Sequence, residues 1–68
     1  MKISARNQMP GRLVEVRKGQ TTAHVRLDIG GGVIITSSIT NEAVDELGLA
    51  TGDKVFAIVK ASDVMVGK

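Results

Sequence analysis

The chain has 68 residues, no cysteine, one histidine and a single aromatic side chain, Phe56, with nine basic residues against seven acidic ones. A chain of this length buries only about 60% of its unfolded surface, so its small core needs reinforcement. The usual reinforcements are disulfides, structural metals and further subunits. The lack of cysteine excludes disulfides and thiolate metal sites, and one histidine argues against a zinc site. We therefore expect a homo-oligomer.

Charge and hydropathy limit the class of protein further. The net charge of +2 is too small for a dedicated nucleic-acid-binding protein. No apolar stretch forms the core of a signal peptide or approaches the roughly 18 residues of a membrane span. These features predict a single domain over residues 1–68, located in the cytoplasm, without a cofactor and without a membrane partner.

The first half of the chain alternates between apolar and polar residues, as β-strands do. A polar leader is followed by a turn signal at Pro10-Gly11 and by an alternating strand at residues 12–18. Residues 21–29 alternate over their whole length. The three glycines at 30–32 then predict a hairpin turn into a β-branched strand at residues 33–40.

At the start of the second half, the spacing of the apolar residues changes from that of a strand to that of a helix. Residues 40–49 have the apolar spacing of a short amphipathic helix, with Thr40 as its N-cap and Gly48 as its left-handed end. An apolar run at residues 54–61, which places Phe56 in the core, and a short segment at 63–67 predict two final strands. This order favours a mainly β fold, a small five- to six-stranded OB-like barrel with one short helix.

The residues that usually perform catalysis do not form a recognisable constellation. His24 is the only imidazole, and it lies among charged residues on the outer side of a predicted strand. A nucleophile would need a base and a group that orients it. The glycines at 30–32 precede a strand, whereas nucleotide-binding loops precede a helix. We predict that the protein is not an enzyme.

Several hydrogen-bond donors stand out instead. They lie in the leader, at the predicted helix start and after the apolar strand: Ser4, Arg6, Thr40, Lys60, Ala61 and Ser62. Arginine and lysine cannot accept hydrogen bonds, and a helix start offers free N–H groups. A tetrahedral dianion without protons, such as molybdate, tungstate or sulfate, fits such donors, whereas monoprotonated phosphate benefits from an acceptor.

Three segments resemble a known family. "ISARNQ" at residues 3–8, "ITNEAVDELGL" at 39–49 and "VKASDVMV" at 59–66 are similar to the molybdate-binding Mop domain, also called molbindin or the TOBE type. The likeness covers essentially the whole chain. It implies a small OB-like barrel that binds molybdate and tungstate at subunit interfaces and assembles as a hexamer, a trimer of dimers.

The same resemblance implies the anion ligands. They are Ser4, Ala5 and Arg6 in the first segment, Thr40 at the start of the helix, and Lys60, Ala61 and Ser62 in the last segment. The polar leader would then be a first strand that presents ligands between subunits. A second site on the three-fold axis is known in this family, and the Lys18-Gly19 turn is the candidate for it.

Intracellular storage of molybdenum is the function that this resemblance favours, since the chain has neither a phosphate-binding loop motif nor a DNA-reading helix. Two other functions stay open. An OB-like barrel can bind nucleic acid, although a single phenylalanine makes a poor stacking surface. The chain can also be a pure oligomerisation or interaction module.

Overall fold

We describe a computed structural model that covers all 68 residues. The elements follow the chain as four strands, one α-helix and a final 3₁₀ turn. They are β1 (Asn7–Lys18), β2 (Thr22–Asp28), β3 (Ile34–Thr40), α1 (Asn41–Leu47), β4 (Lys54–Val59) and the 3₁₀ turn Ala61–Asp63. Neither helical segment has the length and apolar character needed to cross a membrane.

The four strands form one antiparallel sheet in the order β3-β2-β1-β4. The first half of β1 pairs with β4, from Asn7 opposite Val59 to Arg12 opposite Lys54. From Arg12 onward β1 pairs with β2, and a register irregularity between Leu13 and Glu15, within this pairing, bends the strand. The sheet therefore curls into a half-barrel, in which β3 and β4 are edges that do not pair with each other.

The core lies inside this curl and is small. Six residues are buried, all apolar: Leu13, Ala23, Val25, Leu27, Val44 and Ala57. The helix contributes Val44, which covers the end of the curled sheet. An apolar groove runs between the open edges and is lined by side chains of β3 and β4, including Ile35, Ile39 and Val59.

The helix agrees with the sequence-based expectation at both ends. The hydroxyl of Thr40 accepts a hydrogen bond from the Ala43 N–H at 3.0 Å, which is an N-cap. Gly48 ends the helix in the left-handed region with φ 62°.

The strand count was wrong, since the sheet has four strands and not five to six. Pro10 and Gly11 lie inside β1 and not in a turn. Proline fits there because its missing N–H costs nothing at a position that does not donate to the neighbouring strand. The leader at residues 1–6 is not a strand, because regular pairing begins at Asn7.

The end of the chain also differs from the expectation. The segment 63–67 is not a strand, because no strand of this chain pairs with it after the 3₁₀ turn. Phe56 is 52% exposed and not in the core, since the alternation of β4 turns Ala57 inward and Phe56 outward. An unbroken apolar run gives no alternation from which this orientation could be predicted.

Candidate functional site

The beginning of β1 lies beside the end of β4. The pairing of Asn7 with Val59 is the last step of the β1–β4 register, and the Asn7 side-chain amide donates to the Val59 carbonyl at 3.1 Å. Arg6 and Lys60 are the next residues beyond this pair. The register therefore places Arg6 and Lys60 at the same end of the sheet. We call these two residues and the predicted ligands next to them in the chain the donor cluster: Ser4, Ala5, Arg6, Lys60, Ala61 and Ser62.

The donor cluster is accessible and positively charged. All its members are exposed except Ala5, which is half-buried. None of the three ion pairs in the structure involves Arg6 or Lys60, so both cations are free to meet an anion. The hydrogen bonds of the 3₁₀ turn are donated by Asp63 and Val64, which leaves the Ala61 and Ser62 N–H groups without a partner in that turn.

Thr40 lies elsewhere in the same chain. It is opposite Thr22 in the β2–β3 register, at the end of the sheet where β1 finishes at Lys18. The donor cluster is at the other end of β1. The Thr40 oxygen accepts from Ala43, but its O–H remains available to donate. One chain alone therefore does not place Thr40 beside Arg6 and Lys60.

The Lys18-Gly19 turn has its donors occupied. The Lys18 ammonium pairs with the Asp45 carboxylate of α1. The Gly19 N–H donates to the Thr22 carbonyl at 2.7 Å, and the Gly19 carbonyl accepts from the Asn41 side chain at 2.9 Å. The Asn41 Oδ1 atom is buried without a partner, and it is an acceptor. An anion at this turn would have to displace Asp45.

Other chemistry has little support in the structure. No three His, Cys, Asp or Glu side chains come together as a metal site would require. His24 is exposed on the outer face of β2, opposite Ser38. The glycines at 30–32 form the β2–β3 turn with positive φ angles of 95°, 63° and 80°, as a tight hairpin requires.

Two amide side chains at the donor cluster were not assigned a role from the sequence. They are Asn7, which reaches the Val59 carbonyl, and Gln8, whose Nε2 donates to the Ala5 carbonyl at 2.8 Å. Both belong to the "SARNQ" segment on which the family resemblance rests. Their position next to Ser4 and Arg6 in the sequence was the signal that could have indicated a role at the site. Sequence alone, however, does not give the hydrogen-bond partner of an amide side chain.

Comparison with known proteins shows the family of the chain. The TOBE domain matches residues 3–66, which is nearly the whole chain. The chain belongs to the TOBE family. This TOBE protein is 49% identical over 67 residues to the probable molybdenum-pterin-binding protein of Haemophilus influenzae, and the match covers 98% of this chain and 97% of that protein.

Two solved structures share its fold at high sequence identity. MopII from Clostridium pasteurianum has a TM-score of 0.92 and 48% identity, with 98% of this chain and 100% of that chain covered. A molybdate-binding protein from Sporomusa ovata has a TM-score of 0.92 and 40% identity over the full length of both chains. The resemblance found in the sequence is thus confirmed. The relatives are described as binding proteins, in agreement with the prediction that the chain is not an enzyme.

Proposed function

We propose that this TOBE protein is a single oxyanion-binding domain that takes up molybdate at the donor cluster. The observation that carries the proposal is the placement of two cations without ion-pair partners, Arg6 and Lys60, directly beyond the pair of Asn7 with Val59. Ser4 and Ser62 each lie two residues from one of these cations along the chain. The kinship with molybdate-binding and molybdenum-pterin-binding proteins supports it.

The chemistry of the ligand follows from the donor set. A fully ionised tetrahedral dianion has only acceptor oxygens, so it gains from guanidinium, ammonium, hydroxyl and backbone N–H donors together. No ion pair ties a carboxylate to either cation. Tungstate has the same shape and charge as molybdate, and we propose that the site binds both.

The complete site is formed between subunits. Thr40 lies at the end of the sheet remote from the donor cluster, so a site that uses both needs two chains. The apolar groove between β3 and β4 supports such an assembly, because it leaves apolar side chains open to water in a single chain. We propose a hexamer, a trimer of dimers, as the resemblance implies.

The biological task that fits best is storage of molybdenum in the cytoplasm. The chain provides a binding surface but no constellation for chemistry on the ligand. The turn at Lys18-Gly19 is proposed as a second, weaker anion site, which an anion can occupy only after the pair between Lys18 and Asp45 has opened.

The experiment that tests this function is a calorimetric titration of the purified protein with molybdate, with the mass of the assembly measured alongside. Sulfate serves as the control anion, and tungstate is titrated in parallel. We expect saturable binding of molybdate and tungstate by an oligomer, with a much weaker response to sulfate. Absence of molybdate binding, or an equal response to sulfate, would refute the proposal and favour a pure interaction module.

Substitution of either cation tests the assignment of the site. We expect Arg6→Ala and Lys60→Ala to weaken molybdate binding by about 3 to 5 kcal/mol, because a sequestered charge that loses its partner is strongly destabilised. Arg26→Ala is the matched control, since it removes one exposed positive charge from the middle of β2, away from both the donor cluster and Thr40. Circular dichroism should show an unchanged fold in all three variants. Equal affinity in the three variants would exclude the donor cluster as the site.

One observation favours nucleic acid as a second candidate. The Phe56 ring is exposed, and the pair of Arg12 with Lys54 lies two steps along the β1–β4 register, on the same outer face. A single ring with two cations can stack one base. Titration with a labelled single-stranded oligonucleotide at increasing salt tests this function. Binding that falls steeply with salt and is lost in Phe56→Ala would support it.

A further inference from the structure

The leader, which supplies half of the donor cluster, forms few hydrogen bonds. All 32 backbone–backbone hydrogen bonds involve residues at or beyond Asn7, so no backbone bond holds residues 1–6. The one hydrogen bond that reaches this segment comes from the Gln8 side chain, whose Nε2 donates to the Ala5 carbonyl at 2.8 Å. A single side-chain contact is therefore the only hydrogen bond that holds the backbone of Ser4, Ala5 and Arg6.

Gln8 is itself well fixed. It lies in β1 opposite Ile58, next to the pair of Asn7 with Val59, which is reinforced by the bond from the Asn7 side chain. The contact to Ala5 thus connects a segment without backbone–backbone hydrogen bonds to a strand that is anchored by its neighbours. It closes a short loop over residues 5–8, next to the end of the sheet that Lys60 follows.

The contact also engages the Ala5 carbonyl oxygen, an acceptor that would be unfavourable next to a bound anion. A free carbonyl oxygen near a bound dianion repels it, whereas a carbonyl that is bonded to an amide is held in one orientation. Ala5 lies between the two predicted ligands Ser4 and Arg6. The bond from Gln8 orders both neighbours by fixing this carbonyl, and it engages one of the lone pairs of the oxygen.

We propose that Gln8 is a positioning residue for oxyanion binding, which orders the leader before the ligand arrives. This inference rests on the proposed function. The physical gain is preorganisation, since a ligand that must order three residues itself loses affinity by the conformational entropy of that ordering. Gln8 does not need to touch the anion, and its role differs from that of Ser4 and Arg6.

The test compares Gln8→Met with wild type. Methionine keeps the length of the side chain and removes the amide donor. Gln20→Met is the matched control, because Gln20 is exposed and forms no side-chain hydrogen bond. We expect molybdate affinity to fall about three- to tenfold in Gln8→Met, the effect of one lost hydrogen bond, and to be unchanged in Gln20→Met.

A second readout is independent of the ligand. In the anion-free protein, ¹⁵N relaxation should show increased fast motion of the Ala5 and Arg6 amides in Gln8→Met, while the amides of β1 and β4 stay rigid. A general loss of structure would instead affect all of them. If Gln8→Met fails to fold, Gln8→Ala is measured in the same way.

The outcomes separate this inference from the function on which it rests. If wild type does not bind molybdate, the proposed function fails, and the relaxation data still decide whether Gln8 orders the leader. If wild type binds and Gln8→Met binds equally well, the positioning role is refuted while the function stands. Weaker binding with unchanged motion of Ala5 and Arg6 also overturns the positioning role.

Discussion

Thr40 has a structural role that must be separated from any role in anion binding. Its hydroxyl oxygen caps α1 by accepting from Ala43, so Thr40→Ala should lower the free energy of unfolding by about 1 kcal/mol. Thr40→Asp retains a good N-cap but replaces the O–H donor with a negative charge. We expect Thr40→Asp to keep near wild-type stability and to weaken molybdate binding by about tenfold or more. Thermal unfolding and calorimetry measure the two effects.

The comparison of these variants distinguishes two cases. If Thr40 serves only as a cap, Thr40→Asp binds molybdate as wild type does, and the interfacial ligand set loses this residue. If Thr40 contacts the anion across the interface, the loss of affinity in Thr40→Asp exceeds that in Thr40→Ala. Thr40→Ser, which preserves both the cap and the donor, should behave like wild type in both assays.

Individual elements differ in how far their sequence determines them. The helix could be predicted at both ends because its signals, Thr40 and Gly48, act within one turn of the residues they affect. Strand β2 could be predicted from its alternation, since one face meets the core and the other meets water. The residue at which β1 begins, and whether residues 63–67 form a strand, depend on the presence of a neighbouring strand. That is a property of the whole sheet.

The candidate site also combines features that the local sequence determines with features that depend on the whole sheet. The types of residue in the donor cluster follow from the sequence, because arginine, lysine and serine are donors in any fold. The placement of Arg6 and Lys60 at one end of the sheet follows from the pairing of Asn7 with Val59, residues 52 positions apart. No local pattern encodes that register. The bond from Gln8 to Ala5 is local, but its direction depends on the anchoring of β1.

Gly11 marks the place where β1 changes partners. A Cβ atom at this position would lie 2.7 Å from the backbone oxygen of Asp28, a contact that neither strand can relieve easily. We expect Gly11→Ala to lower the free energy of unfolding by about 1–3 kcal/mol, as overpacking does. Gly67→Ala is the control, since a Cβ there meets nothing within 4 Å. Denaturant unfolding at one protomer concentration compares the two, and equal stability would contradict the close approach of β1 and β2.

At the scale of the whole molecule, a single chain leaves much of its apolar surface exposed to solvent. Only 6 of 68 residues are buried, and the apolar groove between β3 and β4 remains open. The most exposed large apolar side chains are Met65 and Val66, each 93% exposed. Their exposure and the open groove are both explained if subunits cover them in the proposed assembly, which would also reinforce a small core without disulfides.

This explanation predicts that the end of the chain controls assembly. A charge at a buried apolar contact is costly, so Met65→Asp and Val66→Asp should reduce the mass measured by sedimentation or light scattering. Thr51→Asp, which places the same charge in an exposed turn, should leave the mass unchanged. Because Thr40 and the donor cluster lie at opposite ends of the sheet, molybdate affinity should fall together with the mass. An unchanged mass in both tail variants would show that residues 65–66 lie outside the interface, and normal binding by a dissociated variant would show that one chain suffices for the site.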